Sequence, residues 1–290
     1  MSEDAFARHR ALLFTVAYEM LSSASDAEDV VQETWLRWAG VDQAEVRDPR
    51  AYLVRTVTRQ ALNRLRTQAR RREDYVGEWL PEPLLTSPDV AADLELADSV
   101  SMAMLTVLET LGPTERAVFV LREVFETPYE EIAEAIGKSP AAVRQIAHRA
   151  RDHVAARRPR MPVTTAEQQD AVQRFLTAIR DGDLQGLLNV LAPDVVAVAD
   201  GGGLVAAARR PIEGAERVAA FLLTGSRAAG DFELQAVWLN GSPAIRIDIG
   251  GQLDTAVSVV VENGRINRLY AIRNPNKLAG LDAVTSISRS

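Results

Sequence analysis

The stretch Pro128–Val154, PYEEIAEAIGKSPAAVRQIAHRARDHV, decides how the rest of this chain is read. Its spacing predicts a helix over Tyr129–Ile136, with Ile132, Ala133 and Ile136 at the i, i+3/i+4 positions of one apolar stripe. Gly137 ends it. Ser139 then offers an oxygen to the unpaired N–H groups of a second helix, and Pro140 fits that helix's first position, where its missing donor costs nothing. In the second helix Val143, Ile146, Ala147 and Ala150 form the inner side and leave Ala142, Arg144, Gln145, His148 and Arg149 outward.

Two helices joined by a short turn containing glycine make a helix-turn-helix, whose second helix lies in the major groove of DNA. Small Ala142 allows close approach. Gln145 has the geometry for an adenine edge, and Arg149 for a guanine edge or a phosphate. The alternative is a helical hairpin with a solvated basic face. The outward surface is almost purely basic and continues as Arg151, Arg157, Arg158 and Arg160, which favours nucleic acid.

Working outward, Pro49 to Arg72 carries eight arginines and no acid. Asp48-Pro49 opens a long helix through Tyr52, Leu53, Val57, Ala61, Leu62 and Leu65, with Arg55, Arg59, Asn63 and Arg66 recurring along one flank. A basic amphipathic helix suits a membrane surface or a nucleic acid, and the second basic block points to the latter. Earlier, Phe6–Leu21 reads as a helix. Ser25-Asp26-Ala27-Glu28 is a capping-box pattern that starts another, running to about Ala39, with Val30, Val31, Trp35 and Trp38 as its apolar side. Its other side, Asp29, Gln32, Glu33 and Arg37, reads by itself as a solvated face.

Between the basic blocks the character reverses: Glu73 to Glu115 holds ten acids and no Lys or Arg. Tyr75–Pro88, YVGEWLPEPLLTSP, has three prolines and is expected to be extended. Trp79, Leu80, Leu84 and Leu85 are too apolar to stay solvated, so Trp79 must dock, either on a neighbouring helix or on a dedicated site. Leu94–Leu111 and Thr114–Phe125 read as helices behind the helix-turn-helix.

The 290-residue length accommodates two or three domains. With 47% hydrophobic and 25% charged residues the composition is that of a globular chain. The absence of cysteine excludes disulfides and thiolate metal sites, and no metal or cofactor is expected. The start lacks the apolar core of a signal peptide and no apolar run can span a bilayer, so a cytoplasmic protein without a membrane role is expected. The net charge of −7 is strongly segregated, and the local patch is what a phosphate feels.

Past Pro162 the pattern changes. Helices around Val172–Ile179 and Leu184–Leu191, a strand at Val195–Ala199, a helix at Gly214–Leu223, then strands at Phe232–Leu239, Ala244–Ile249, Thr255–Val261 and Arg265–Arg273 predict an α+β domain with a meandering antiparallel sheet. Asn263-Gly264 marks a hairpin.

With the parts in this order, residues 1 to 156 resemble bacterial sigma factors of the extracytoplasmic-function class. DAEDVVQETWLRW looks like sigma region 2.2, which implies that Asp29, Gln32 and Glu33 contact the clamp helices of the RNA polymerase beta-prime subunit in place of the solvated-face reading. RDPRAYLVRTVTRQALNRLR looks like regions 2.3 and 2.4, implying that Arg55, Arg59, Gln60, Asn63 and Arg66 lie at the minus-ten promoter element. The segment from Leu111 to Arg151 looks like region 4, implying that Ser139, Ala142, Arg144, Gln145, His148 and Arg149 read the minus-35 element. Arg59 and Asn63 depart from the family's common Asn and Asp at those places. Opening a promoter needs a flipped base held beside a basic helix, and the Gly40–Pro49 loop offers a wall for that pocket. Polymerase supplies the chemistry, so no catalytic residue is expected.

The last part resembles the SnoaL-like fold, a curved sheet wrapped around helices as a cone, and the whole resembles the sigma-factor group that carries such an extension. Trp79-Leu80-Pro81-Glu82-Pro83, Asp200-Gly201-Gly202-Gly203 and Asn274-Pro275-Asn276-Lys277-Leu278 carry that resemblance. It implies regulation in cis through a contact of the linker with the extension, with Trp79 as the expected neighbour of the bare glycine loop. The reading is thus a multidomain chain: two all-α sigma domains, residues 1–72 and 93–158, joined by an acidic linker, 73–92, and followed by an α+β SnoaL-like cone domain, 163–290. A small-molecule ligand in that domain is compatible with the fold. Two alternatives stay open: a DNA-binding regulator that does not use polymerase, and a SnoaL-type isomerase with Asp200, Asp248 or Asp254 as base between Trp238 and Tyr270. All three histidines lie outside that domain.

Overall fold

The structure is a computed structural model that describes residues 2–73, 75–157 and 163–289. Arg158, Arg160 and Pro162 of the sequence reading lie outside the described residues, as do the side chains of 69–73. The chain forms two compact units: Met1–Glu73 with Leu94–Arg158 and Ser286–Ser290, and Asp74–Asp93 with Pro159–Thr285.

The first unit is helical. α1 (Ser2–Leu21), α2 (Ala24–Ala39) and α3 (Pro49–Glu73) pack around Leu12, Leu13, Val16, Val31, Trp38, Leu53 and Val57, all nearly inaccessible to water. The Ser23 side chain caps α2 by accepting from Asp26 N–H at 3.1 Å. Trp35, expected on the apolar side of α2, is instead 41% exposed, because the helix turns that flank outward together with Leu36.

The segment read as one helix from Leu94 to Leu111 is two, α4 (Leu94–Ser99) and α5 (Met102–Leu108). Ser101 takes extended backbone and its hydroxyl accepts from Met104 N–H, so a local cap competes with helix continuation. α6 (Pro113–Phe119) passes into a π-helical turn at Val120–Val124, which interrupts the helix expected to reach Phe125. α7 (Tyr129–Ile136) ends on Gly137 at φ 67°, and α8 (Pro140–Ala155) starts with Ser139 Oγ accepting from Ala142 N–H at 3.2 Å.

The second unit begins with α9 (Thr165–Asp181), whose Thr164 and Glu167 form a full capping box, and α10 (Leu184–Val190). β1 (Leu191–Asp200), a short β2 (Ile212–Glu213), α11 (Ala215–Ala229), β3 (Phe232–Leu239), β4 (Ser242–Ile249), β5 (Gln252–Glu262), β6 (Arg265–Ile272) and the single turn α12 (Pro275–Leu278) follow. The sheet order is β2-β1-β6-β5-β4-β3. β3 to β6 form the expected antiparallel meander. β1, however, joins β6 in parallel, because the chain crosses over through α11 and three strands before β6 returns beside it. Phe175, Leu176 and Ile179 of α9 with Val218 and Leu223 of α11 fill the inner face against Ile245, Val257 and Leu269.

Candidate polymerase and promoter surfaces and the linker clamp

On α8, Val143, Ile146, Ala147 and Ala150 are buried, and Arg144, Gln145, His148 and Arg149 are exposed. Ala142 is half-buried. Among the described residues the basic side chains have distant or exposed acidic neighbours: Arg144 reaches Glu130 at 3.3 Å, Arg149 reaches Glu115 at 3.8 Å, and His148 Nδ1 lies 2.8 Å from Asp152. Exposed pairs of this kind contribute little and exchange readily for phosphates.

On α2, Asp29, Gln32 and Glu33 all face outward. Asp29 accepts from Arg64 at 2.5 Å and Glu33 from Gln60 at 2.9 Å, so α3 holds both carboxylates in place while leaving them at the surface. Exposed Trp35 and Leu36 border them.

The five α3 residues read as one set are divided by the packing. Asn63 and Arg66 are exposed, and Gln60 turns to α2. Arg55 pairs with Glu134, while Arg59 donates from Nε to the Ala135 carbonyl at 3.1 Å and from Nη2 to the Glu134 carbonyl at 2.8 Å. Those carbonyls belong to the last turn of α7, where helical partners are missing and the helix dipole favours a cation.

The helical unit also holds a buried polar knot. Arg116 on α6, 2% exposed, donates to the Glu19 carbonyl at 2.9 Å, to Glu109 at 2.5 Å and to the Ser22 hydroxyl. Burial lowers its pKa to about 9 and raises that of the Glu19 carboxyl to about 8. Neither residue was singled out from sequence. The available signal was Glu19's position on the apolar stripe of α1, one turn after Val16.

In the second unit the linker is bound along its length. Asp200, at the end of β1 and inaccessible to water, accepts from Tyr75 Oη at 2.6 Å, Leu80 N–H at 2.9 Å, Gly202 N–H at 3.0 Å and Lys277 Nζ at 2.7 Å. Lys277, on α12, also donates to the Leu80 carbonyl at 2.5 Å and sits 4.0 Å over the Trp79 ring. Asn274 bonds the Tyr75 hydroxyl at 2.8 Å and caps α12 through Asn276 N–H. Burial and the bond to Asp200 push the Tyr75 pKa far up, so it stays a neutral donor.

The glycine loop meets Tyr75 and Val76. A Cβ on Gly202, whose φ is 60°, would strike Asn274 Nδ2 and lie 3.1 Å from Tyr75 Oη. Gly202→Ala is expected to loosen the clamp by about 1–3 kcal/mol, read as faster proteolysis within residues 75–86. Leu80, Leu84 and Pro81 are buried, and Pro275 and Gly201 complete the two loops that meet there. Leu84 pairs its N–H with Asn240 Oδ1 at 3.0 Å and its carbonyl with Asn240 N–H at 2.9 Å, and Thr86 N–H reaches the Trp238 carbonyl at 3.0 Å. Asn240, at φ 53°, carries no sequence signal beyond its place before Gly241 in a tight turn.

The three carboxylates of the isomerase alternative are all paired: Asp200 with Lys277, Asp248 with Arg246 at 2.8 Å, and Asp254 with Arg273 at 2.9 Å. No helix of the described residues is long and apolar enough to cross a membrane, and no metal-binding cluster occurs among them.

Comparison with known proteins agrees with this division. Residues 5–71 match the Sigma-70 region 2 family and residues 101–154 match Sigma-70, region 4. The chain is 36% identical to the ECF RNA polymerase sigma factor SigJ of Mycobacterium tuberculosis over 97% of its own length and 94% of that protein's. It is 33% identical to a probable ECF sigma factor, SigI, of the same organism, covering 96% and 95% of the two chains. The crystal structure of M. tuberculosis SigJ superposes with a TM-score of 0.78 at 32% identity, covering 97% of this chain and 99% of that one. Sigma factors direct transcription initiation without being enzymes, and the α+β unit is the SnoaL-like part of the same architecture. With two sigma regions in place and full-length similarity to SigJ, the chain belongs to the extracytoplasmic-function RNA polymerase sigma factors.

Proposed function

We propose that this sigma factor rests in a closed form, in which its own helix-turn-helix masks part of its minus-ten surface, and that the SnoaL-like domain governs its opening through the linker. In the active form Asp29, Gln32 and Glu33 engage the beta-prime clamp helices of core polymerase in the cytoplasm. Arg55, Arg59, Gln60, Asn63 and Arg66 serve the minus-ten element, and Ser139, Ala142, Arg144, Gln145, His148 and Arg149 the minus-35 element. The functional segments are taken as 1–72, 73–92, 93–158 and 163–290.

The observation that carries this reading is the capping of α7 by Arg59. An arginine whose donors fill the last carbonyls of one helix is not presented to a phosphate. Elements named for positions minus ten and minus 35 lie about 25 base pairs apart, or about 85 Å of B-DNA. A compact helical unit of this size has a radius of gyration of only about 14 Å, so α3 and α8 must part to reach both. The segment that has to span the opened gap, residues 75–86, is the one held by Asp200, Asn240, Asn274 and Lys277. Trp79, Leu80 and Pro81 with Gly201, Gly202, Gly203 and Pro275 form the rest of that regulatory contact. A small-molecule ligand of the SnoaL-like domain would act by changing this hold.

Run-off transcription with purified core polymerase on a promoter library tests the reading. The full chain is expected to give promoter-dependent product, and Asp29→Lys with Glu33→Lys to lower it at least tenfold through lost polymerase binding. If the charge-reversed chain transcribes as well as the unaltered one, the α2 face is not the polymerase surface.

A further inference from the structure

The seam between the two sigma regions contains an acid that the promoter and polymerase roles do not use. Glu19 on α1 is inaccessible to water. Its Oε1 accepts one bond, from Ser99 Oγ on α4 at 2.8 Å, and its Oε2 is buried without any partner. Arg116 on α6 lies alongside, yet its hydrogen bonds go to the Glu19 backbone carbonyl, to Ser22 and to Glu109 rather than to the Glu19 carboxyl. The carboxyl therefore sits across the seam with one hydroxyl donor and no direct counter-ion bond. A neutral acid tolerates such a place. An ionised one does not, since burying a charge demands that all its acceptor sites be met.

We infer that Glu19 is a proton-operated latch between the two sigma regions: while protonated it permits the closed packing of α1 against α4 and α6, and its ionisation drives the regions apart. The charged groups around it come from each packed element. Arg116 from α6 and Arg289 from the C-terminal tail favour the charged form, as does the Ser99 hydrogen bond, whereas burial and Asp98 from α4 oppose it. Burial prevails, which places the closed-state titration near 8 instead of 4.5. The tail is held on the same seam, with Ser288 N–H donating to Thr15 Oγ1 on α1 at 3.0 Å and Arg289 paired with Glu95 on α4.

The direction follows from linkage. The closed form binds the Glu19 proton more tightly than an open form in which the carboxyl meets water. Closed-state preference is thus complete below the ordinary carboxyl range and is lost as pH rises toward about 8. One coupled proton makes the open-to-closed ratio rise about tenfold per pH unit across that window and level off above it.

The latch rests on the reading that closure masks the promoter helix, but it can be measured without promoter or polymerase. The chain has no cysteine, so Thr67→Cys on α3 and Ala141→Cys on α8, both at exposed positions, can carry a fluorophore pair on the full-length protein. Energy transfer read from pH 5.5 to 9 is expected to fall with the tenfold-per-unit dependence and then flatten. Glu19→Gln, a mimic of the protonated acid, should remain closed throughout. Ser99→Ala, which removes a donor that favours the charge, should move the plateau to higher pH. An unchanged titration in Glu19→Gln, or high energy transfer indifferent to pH, would overturn the latch alone, whereas energy transfer that is low at every pH and in every variant would overturn the closed-form reading on which it rests.

Discussion

Replacing Arg116 by alanine is expected to destabilise the helical unit by about 3–5 kcal/mol, as for other buried ions that lose one partner. The guanidinium is 2% exposed and joins three places: the end of α1 through the Glu19 carbonyl and Ser22, the stretch after α5 through Glu109, and α6 itself. Truncation removes the Arg116 partner of Glu109, only 14% exposed, and leaves a cavity that water reaches poorly. Lysine should recover little, because three acceptors in different directions require a planar fork of donors. Hydrogen exchange read by mass spectrometry on the full chain would show the loss as faster exchange in α1 and α6, by about two to four orders of magnitude at this energy. Protection unchanged in both helices would mean that the seam is held by its apolar packing alone.

Asp200→Ala is expected to free the linker from the SnoaL-like domain, at a similar cost of about 3–5 kcal/mol. Four donors converge on that carboxylate, and removing it takes a buried anion from Lys277, 7% exposed over Trp79 and Tyr75. The readout is Trp79 becoming wet: a red-shifted emission together with rapid cleavage within residues 75–86. Adding Lys277→Met should restore part of the protection, since a buried charge that has lost its anion is removed and an apolar stem of similar length remains. A lysine that binds the Leu80 carbonyl well enough alone would leave both readouts as in the unaltered protein, and the carboxylate would then be only one of several equal contacts.

The helix-turn-helix was legible because its punctuation is local. Gly137 at positive φ, the Ser139 cap and Pro140 act within a few residues of themselves, so composition and spacing suffice to place them. The same holds for the β3–β6 meander with its Asn263-Gly264 turn, where strand alternation and turn chemistry are both sequence-near properties. The split at Ser101 was missed because a hydroxyl competes with a helix only when neighbouring packing allows the bend. The parallel pairing of β1 with β6 was missed for a different reason: strand order depends on where a crossover returns, which no local signal states.

For the functional surfaces the division is similar. The residue types on α2, α3 and α8, their helical faces and the three short motifs of the clamp are properties of sequence alone, since period and motif name which side chains share a face. The sequence by itself also determined the family and the order of its parts. Only the tertiary structure decided which of those side chains are already occupied. That Arg59 caps α7, that Trp79 lies under Lys277 while Tyr75 meets the glycine loop, and that Glu19 and Arg116 share a buried seam are long-range pairings. Arg59 and Glu134 stand 75 residues apart and Glu19 and Arg116 stand 97 apart, separations over which spacing carries no information and only packing selects the neighbour.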